Sequence, residues 1–189
     1  MFPLWRDDQT FAWQGRSTKE AEPKYVSSDD IANWVWPLDS VFREIVQKRG
    51  ETTLVEGVFD SAGLWRIDEA AHCTFGKKIN GKQITLLKTM GVKKVRICWD
   101  EDATRTSEKR LLRGLARGLR GETEQAALVL RRHFEVEVVD LSNQPKFDNV
   151  KKADPGEILR SAQVAGWIKE RLKCAMSVDS PEFQTWRLS

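Results

Sequence analysis

The sequence predicts an α/β fold: a mainly parallel sheet covered by helices on both faces, preceded by a small N-terminal α+β subdomain. Three observations carry this expectation. From Glu51 onward, short strand-like segments alternate with helical ones, the order that builds parallel sheets. Several of those segments, such as "TTLV" (52–55) and "VRICW" (95–99), lack the polar alternation of a half-exposed strand and suit burial on both faces. Before Glu51 the pattern is different, with two strand-like stretches, a polar loop and a tryptophan-rich stretch.

The elements follow in order. "FPLWRDDQTFAWQGRS" reads as strand, turn around Asp7–Asp8, strand. A polar loop, "TKEAEPKYVSSDD", leads to "IANWVWP". Apolar positions 38, 41, 42, 45 and 46 give Leu38–Lys48 a helical period, and Gly50 ends it. Thr52–Val55 is a strand, Phe59–Arg66 a short helix and Ala70–Cys73 a second strand. Gln83–Met90 is a helix stopped by Gly91. Val95–Trp99 is the third strand. Thr104–Arg120 and Glu122–Arg132 read as helices separated by Gly121, Val136–Leu141 as a fourth strand, and Glu157–Lys173 as one helix. The expected division is 1–50 as a small N-terminal part, 51–165 as the α/β domain and 166–189 as a C-terminal helix and tail.

Composition narrows the function classes. The chain has 189 residues, enough for one domain with an ample core, and a net charge of +3, too small to specify a nucleic-acid partner. The stretch 105–120, "RTSEKRLLRGLARGLR", is locally basic and suits either a solvated helix face or a track along a phosphate backbone. Cys73, Cys98 and Cys174 are odd in number and lack metal-site spacing, which argues against a disulfide framework or a structural zinc. No apolar run reaches the ~20 residues that cross a bilayer, and the first residues do not read as a secretory signal. A soluble, cytoplasmic setting without a membrane partner is expected.

The chemistry lies in the acids at strand ends. Glu56 ends the first strand of the α/β part, Gly57 makes the turn and Asp60 opens the next helix. "ICWDED" puts Asp100 and Asp102 just past the third strand, where residues i and i+2 of extended chain project to one side. In "KKADPGEIL", Asp154 precedes a proline suited to a first helical turn. Taken singly, Asp60 and Asp154 read as helix caps and Asp100 and Asp102 as turn residues. Taken together they gather carboxylates where open parallel sheets bind ligands. Like charges brought close repel unless something neutralises them. Oxygen donors without His or Cys select Mg²⁺ or Mn²⁺, ions that share their shells with phosphate oxygens.

The set "VEGVFD", "CWDED" and "ADPGEIL" resembles the Toprim domain, shared by bacterial-type primases, topoisomerases and some nucleases. The resemblance spans about residues 52–160 and implies a Toprim-like sheet in which Glu56, Asp100 and Asp102 gather divalent metal, with Asp60 and Asp154 as further ligands. Upstream, "GRSTKEAEPKYVSS" is similar to the segment that precedes Toprim in DnaG-type primases. The resemblance implies that Arg16, Lys24 and Tyr25 lie along the path of nucleotide and template. Arginine offers phosphate a two-pronged donor. Lys77 and Lys78 follow the second strand, where a phosphate could reach Lys77.

The resemblance implies a primase-type RNA polymerase core making short RNA primers on single-stranded DNA from ribonucleoside triphosphates, bacterial or phage-encoded. It also departs from the family. The basic residue usually found in the "DDIANWVWP" region is absent, and the sequence offers no zinc ligands before the core and no helicase-binding domain after it, which suits a subunit of a split primase, a compact phage or plasmid version, or a piece of a longer chain. A replicative helicase or a separate zinc-binding primase subunit is therefore an expected partner. Two alternatives stay open: a Toprim nuclease using the same carboxylates, and a non-catalytic nucleic-acid-binding subunit. Trp34 and Trp36 could stack bases, but packing of the N-terminal sheet on the core accounts for them more simply.

Overall fold

The computed structural model describes residues 1–7, 9–17, 25–100, 121–142, 144–147, 150 and 154–188. Lys24, Glu101, Asp102 and the basic stretch 105–120 lie outside the described residues. The chain opens with an antiparallel three-stranded sheet, β1 (Phe2–Arg6), β2 (Gln9–Arg16) and β3 (Tyr25–Ser27), in that spatial order. Two strands here are expected from the sequence. The third is only three residues long and is defined by pairing with β2, not by any pattern of its own.

α1 (Ser40–Arg49) follows and ends at Gly50, whose φ of +71° closes the helix in the left-handed region. Its first turn is capped from a distance. The carboxylate of Asp7, in the β1–β2 turn, accepts the Ser40 N–H at 2.8 Å and pairs with Arg43 at 2.8 Å. That contact pins the small sheet to the larger part.

The larger part runs β4 (Glu51–Val55), α2 (Val58–Arg66), β5 (Ala71–Cys73), α3 (Gly81–Thr89), β6 (Lys94–Ile97), α4 (Gly121–Leu130), β7 (Glu135–Val138), a 3-10 turn (Pro155–Leu159), α5 (Ala162–Lys173), β8 (Met176–Ser177) and α6 (Pro181–Leu188). Its sheet order is β5-β4-β6-β7-β8, with the first four strands parallel and β8 antiparallel. The expected mainly parallel sheet is therefore present.

Adjacent strand residues feed two separate cores. Leu54, Ile97 and Val138 pack with Leu87 of α3, Leu130 of α4 and Phe183 of α6. Val55, Cys98 and Val139 pack with Leu64 of α2, Ile168 of α5 and Leu4 of β1. Both faces are covered where the strands end, although β6 (KVRI) and β7 (EVEV) alternate charged and buried apolar residues. Trp34 meets Phe11 of β2 at 5.0 Å between ring centres, and Trp36 exchanges backbone hydrogen bonds with Cys73. Trp34 thus joins the small sheet to the core, while Trp36 ties the segment that follows the small sheet to the β5 margin.

The expected single helix 157–173 is two elements. The 3-10 turn stops at Leu159, and α5 starts anew with the Ser161 Oγ accepting the Val164 N–H at 3.3 Å. The tail also holds β8 and α6, where Phe183 and Trp186 enter the core. Cys73 and Cys98 are buried free thiols. No helix among the described residues is long and apolar enough to cross a membrane.

Candidate active site

The chain enters the sheet at β4, moves out to β5, then crosses back to place β6 on the other side of β4. The loops leaving β4 and β6 therefore diverge, and open a crevice between the carboxyl ends of these two strands. The register is level there: Leu54 pairs with Ile97, and the Cys98 N–H still reaches Leu54 O at 2.9 Å. Glu56 and Asp100 follow directly. The Asp100 N–H donates to Glu56 Oε1 at 3.1 Å, and Lys77 Nζ lies 3.7 Å from the same oxygen.

Asp60 enters from α2. Its Oδ2 accepts the Gly57 N–H at 2.9 Å, closing the first helical turn. Asp154 caps the 3-10 turn by accepting the Glu157 N–H at 3.1 Å. The capping expected of both residues is thus real, and both still face the crevice. Two glycines permit this. A Cβ on Gly63 of α2 would fall 2.0 Å from Pro155 O, so only glycine lets α2 meet the 3-10 turn this closely. A Cβ on Gly156 would fall 2.8 Å from Asp60 Oδ1 and 3.2 Å from Asp154 Oδ1, so both carboxylates crowd one bare stretch of backbone.

These carboxylates feel one another. Burial, then the charges of Asp154, Asp100 and Glu56, push the Asp60 carboxyl up to about 7. The small sheet supplies the opposite wall. Arg16 ends β2 with its guanidinium 5.5 Å from the centre of the Tyr25 ring, and both line the cleft. Burial pushes the Tyr25 hydroxyl up, Arg16 pulls it down, and Asp60, Asp154 and Asp100 raise it further, so Tyr25 shares the field of the acids. The cleft measures about 750 Å³.

The structure thus brings Glu56, Asp60, Asp100, Asp154, Arg16 and Tyr25 to one cleft, with Lys77 against Glu56. Lys24 and Asp102 lie outside the described residues. Sequence reasoning passed over Phe75, Gly156 and Arg160 as cleft residues, and Gly63 as the contact that positions Asp154. A glycine inside a helical run was the available signal for Gly63. His72, also buried, bonds Thr52 at 2.8 Å, and His133 contacts Lys88, so neither joins the site.

Among the described residues, no three His, Cys, Asp or Glu side chains are grouped so as to hold a metal ion together. The donor set nonetheless fits a hard divalent cation. It is all oxygen and comes from separate chain segments, and the Asp60 carboxyl, raised first by burial and then by the neighbouring acids, is one whose charge a cation would favour.

The sequence matches no protein-family model and no curated protein. Solved structures do match. The chain is 21% identical to the Aquifex aeolicus primase (zinc-binding and RNA polymerase domains), with a TM-score of 0.61, covering 93% of this chain and 40% of that one. It is 22% identical to a DNA primase domain from Pseudomonas aeruginosa, with a TM-score of 0.60, covering 98% of this chain and 54% of that one. It is 18% identical to a DnaG primase catalytic domain bound to single-stranded DNA, with a TM-score of 0.61 and coverage of 98% and 54%. The chain therefore spans about half the length of these solved primase chains. From the first strand of the small sheet to the last helix, it has the fold of the matched half of DnaG-type primase catalytic domains.

Proposed function

We propose that the chain is the catalytic portion of a primase-type, DNA-dependent RNA polymerase. One observation carries the reading most: Glu56 and Asp100 meet at the β4/β6 switch point, inside a fold otherwise seen in primase catalytic domains. Glu56, Asp100 and Asp102 are assigned as metal ligands, with Asp60 and Asp154 beside them. Mg²⁺ or Mn²⁺ bound there would neutralise charge on the phosphates of a ribonucleoside triphosphate. The protein's own groups do the positioning. Arg16 and Lys24 hold phosphate, Tyr25 borders the nucleotide path, and Lys77 adds positive charge beside Glu56. The basic stretch 105–120 follows the template backbone, which makes binding salt-dependent.

Residues 1–50 are assigned as a small N-terminal part of the RNA polymerase core, 51–165 as the Toprim domain and 166–189 as the C-terminal helix and tail. A zinc-binding subunit or a replicative helicase is assigned as partner, and the cytoplasm as compartment. The test is primer synthesis on single-stranded DNA with Mg²⁺ or Mn²⁺ and labelled ribonucleotides, run beside a plasmid-nicking assay. Primers that disappear in Asp100→Ala support the polymerase. Nicking without primers would assign the same carboxylates to a nuclease. Failure to bind divalent metal in a titration would favour a non-catalytic nucleic-acid-binding subunit.

A further inference from the structure

Phe75 differs from its surroundings in backbone and in chemistry. Among the described residues, the non-glycine residues with positive φ are Asp7, Asp30, Asp68 and Phe75. Aspartate tolerates the left-handed region, whereas a phenylalanine there, at +57°, is an outlier. Strain of this kind persists where neighbouring contacts over-determine it, and it concentrates at ligand sites. The contacts are present. Thr74 N–H donates to Val55 O at 2.9 Å, and its hydroxyl lies 2.6 Å from Gly76 O. Gly76 N–H donates to Glu56 O at 3.1 Å. Residues 74–77 are thereby bound to the segment that presents Glu56. Phe75 itself is half-buried, resting against the α2-side core while lining the cleft.

The remainder of the cleft is rich in carboxylates, with Arg16 and Arg160 at its sides. Such groups handle metal and phosphate. The flat face of a nucleobase is held well by aromatic rings, and the described cleft offers three: Phe59, Tyr25, whose ring already carries the Arg16 guanidinium at 5.5 Å, and Phe75, the one held in a left-handed backbone against the segment that presents Glu56. The cleft volume of about 750 Å³ is in the range of small-molecule sites. We propose that the Phe75 ring is the platform on which the base of the bound nucleoside triphosphate stacks. This rests on the polymerase reading and extends it to a residue that sets nucleotide affinity. Every base has a π-face, so the platform accepts all four with little preference.

The test measures equilibrium binding to the full chain in Mg²⁺ of three probes: ATP, ribose 5-triphosphate, which lacks the base, and inorganic tripolyphosphate. The chains compared are wild type, Phe75→Gly and Phe75→Tyr. Glycine adopts this φ without strain, so Phe75→Gly removes the ring and spares the backbone. The wild type should bind ATP roughly tenfold more tightly than ribose 5-triphosphate. Phe75→Gly should lose that advantage with its ribose 5-triphosphate affinity unchanged, and Phe75→Tyr should restore it. Equal wild-type affinity for ATP and ribose 5-triphosphate would overturn the proposal, and that comparison needs no variant. So would a Phe75→Gly chain that weakens all three probes alike. A wild type that binds none of the three probes would remove the polymerase reading, and this inference with it.

Discussion

The backbone N–H of Asp100 donates to Glu56 Oε1 at 3.1 Å, joining the ends of β6 and β4 without using the Asp100 carboxylate. The bond survives loss of the Asp100 side chain. Asp100→Ala should therefore keep the fold, with a melting temperature within a few degrees of wild type. It should lose primer synthesis by about 100-fold or more, because it removes a proposed metal ligand. Glu56→Gln keeps an oxygen for the Asp100 N–H and loses the charge, so it should behave in the same way. Circular dichroism beside a primer-synthesis assay checks both. Wild-type activity in either variant would take that residue out of the mechanism.

Asp60 gives the site a pH signature. Its carboxyl rises from 3.8 to about 7 on folding. A raised carboxyl favours the folded chain while protonated, so its contribution is present below about pH 4 and is lost as pH climbs through about 7. Without divalent metal, the melting temperature of wild type should fall over that window relative to Asp60→Asn. His72, held down to about 4 by burial, has the opposite slope, but it is common to both proteins and cancels. Millimolar Mg²⁺ or Mn²⁺ should raise the wild-type value above pH 7 and raise that of Asp60→Asn less. Parallel calorimetric curves for the two proteins would refute this account.

Gly63→Ala should be costly for a one-carbon change. The new Cβ would fall 2.0 Å from Pro155 O, which is backbone and cannot swing aside. Overpacking of this kind costs about 1–3 kcal/mol. Urea unfolding should show that loss, with metal affinity reduced as well, because Asp154 rides on the displaced turn. Gly156→Ala presses on Asp60 Oδ1 and Asp154 Oδ1, and should weaken metal binding with a smaller cost in stability.

Arg96 provides a control remote from the cleft. Its guanidinium holds Glu51 at 2.9 Å, Glu69 at 2.8 Å and Glu137 at 3.0 Å, with only 16% of the side chain exposed. Arg96→Leu takes the cation from Glu51 and Glu69, whereas Glu137 keeps Lys94 at 2.6 Å, and losing these half-buried charged hydrogen bonds costs about 1–3 kcal/mol. Denaturant titration should show that loss, while primer synthesis per folded molecule stays near wild type.

The acids and the sheet were legible in the sequence for one reason. Parallel strands covered on both faces are mostly apolar, and "VRICW", interrupted only by Arg96 and followed by Asp100, marks both a strand and the end that opens on the cleft. What escaped was set by partners distant in sequence. Tyr25–Ser27 is a strand because β2 is beside it, and Met176–Ser177 because β7 is. The break between the 3-10 turn and α5 hides in a segment whose helical period runs straight through, and the Ser161 cap was its one local sign. The Phe75 backbone leaves no trace in composition at all. It is imposed by contacts to Val55 and Glu56, some twenty positions earlier.

The short β5 has one further consequence. Its outward-facing backbone is already taken: Ala71 O accepts from Ser61 Oγ at 3.0 Å and Trp65 Nε1 at 2.7 Å, and Cys73 trades bonds with Trp36. At the far margin, the two-residue β8 is too brief to template another strand. Among the described residues, neither margin of the five-stranded sheet offers a long free edge. A protein that docks on this part of the molecule must grip side chains, and its specificity must be written in them.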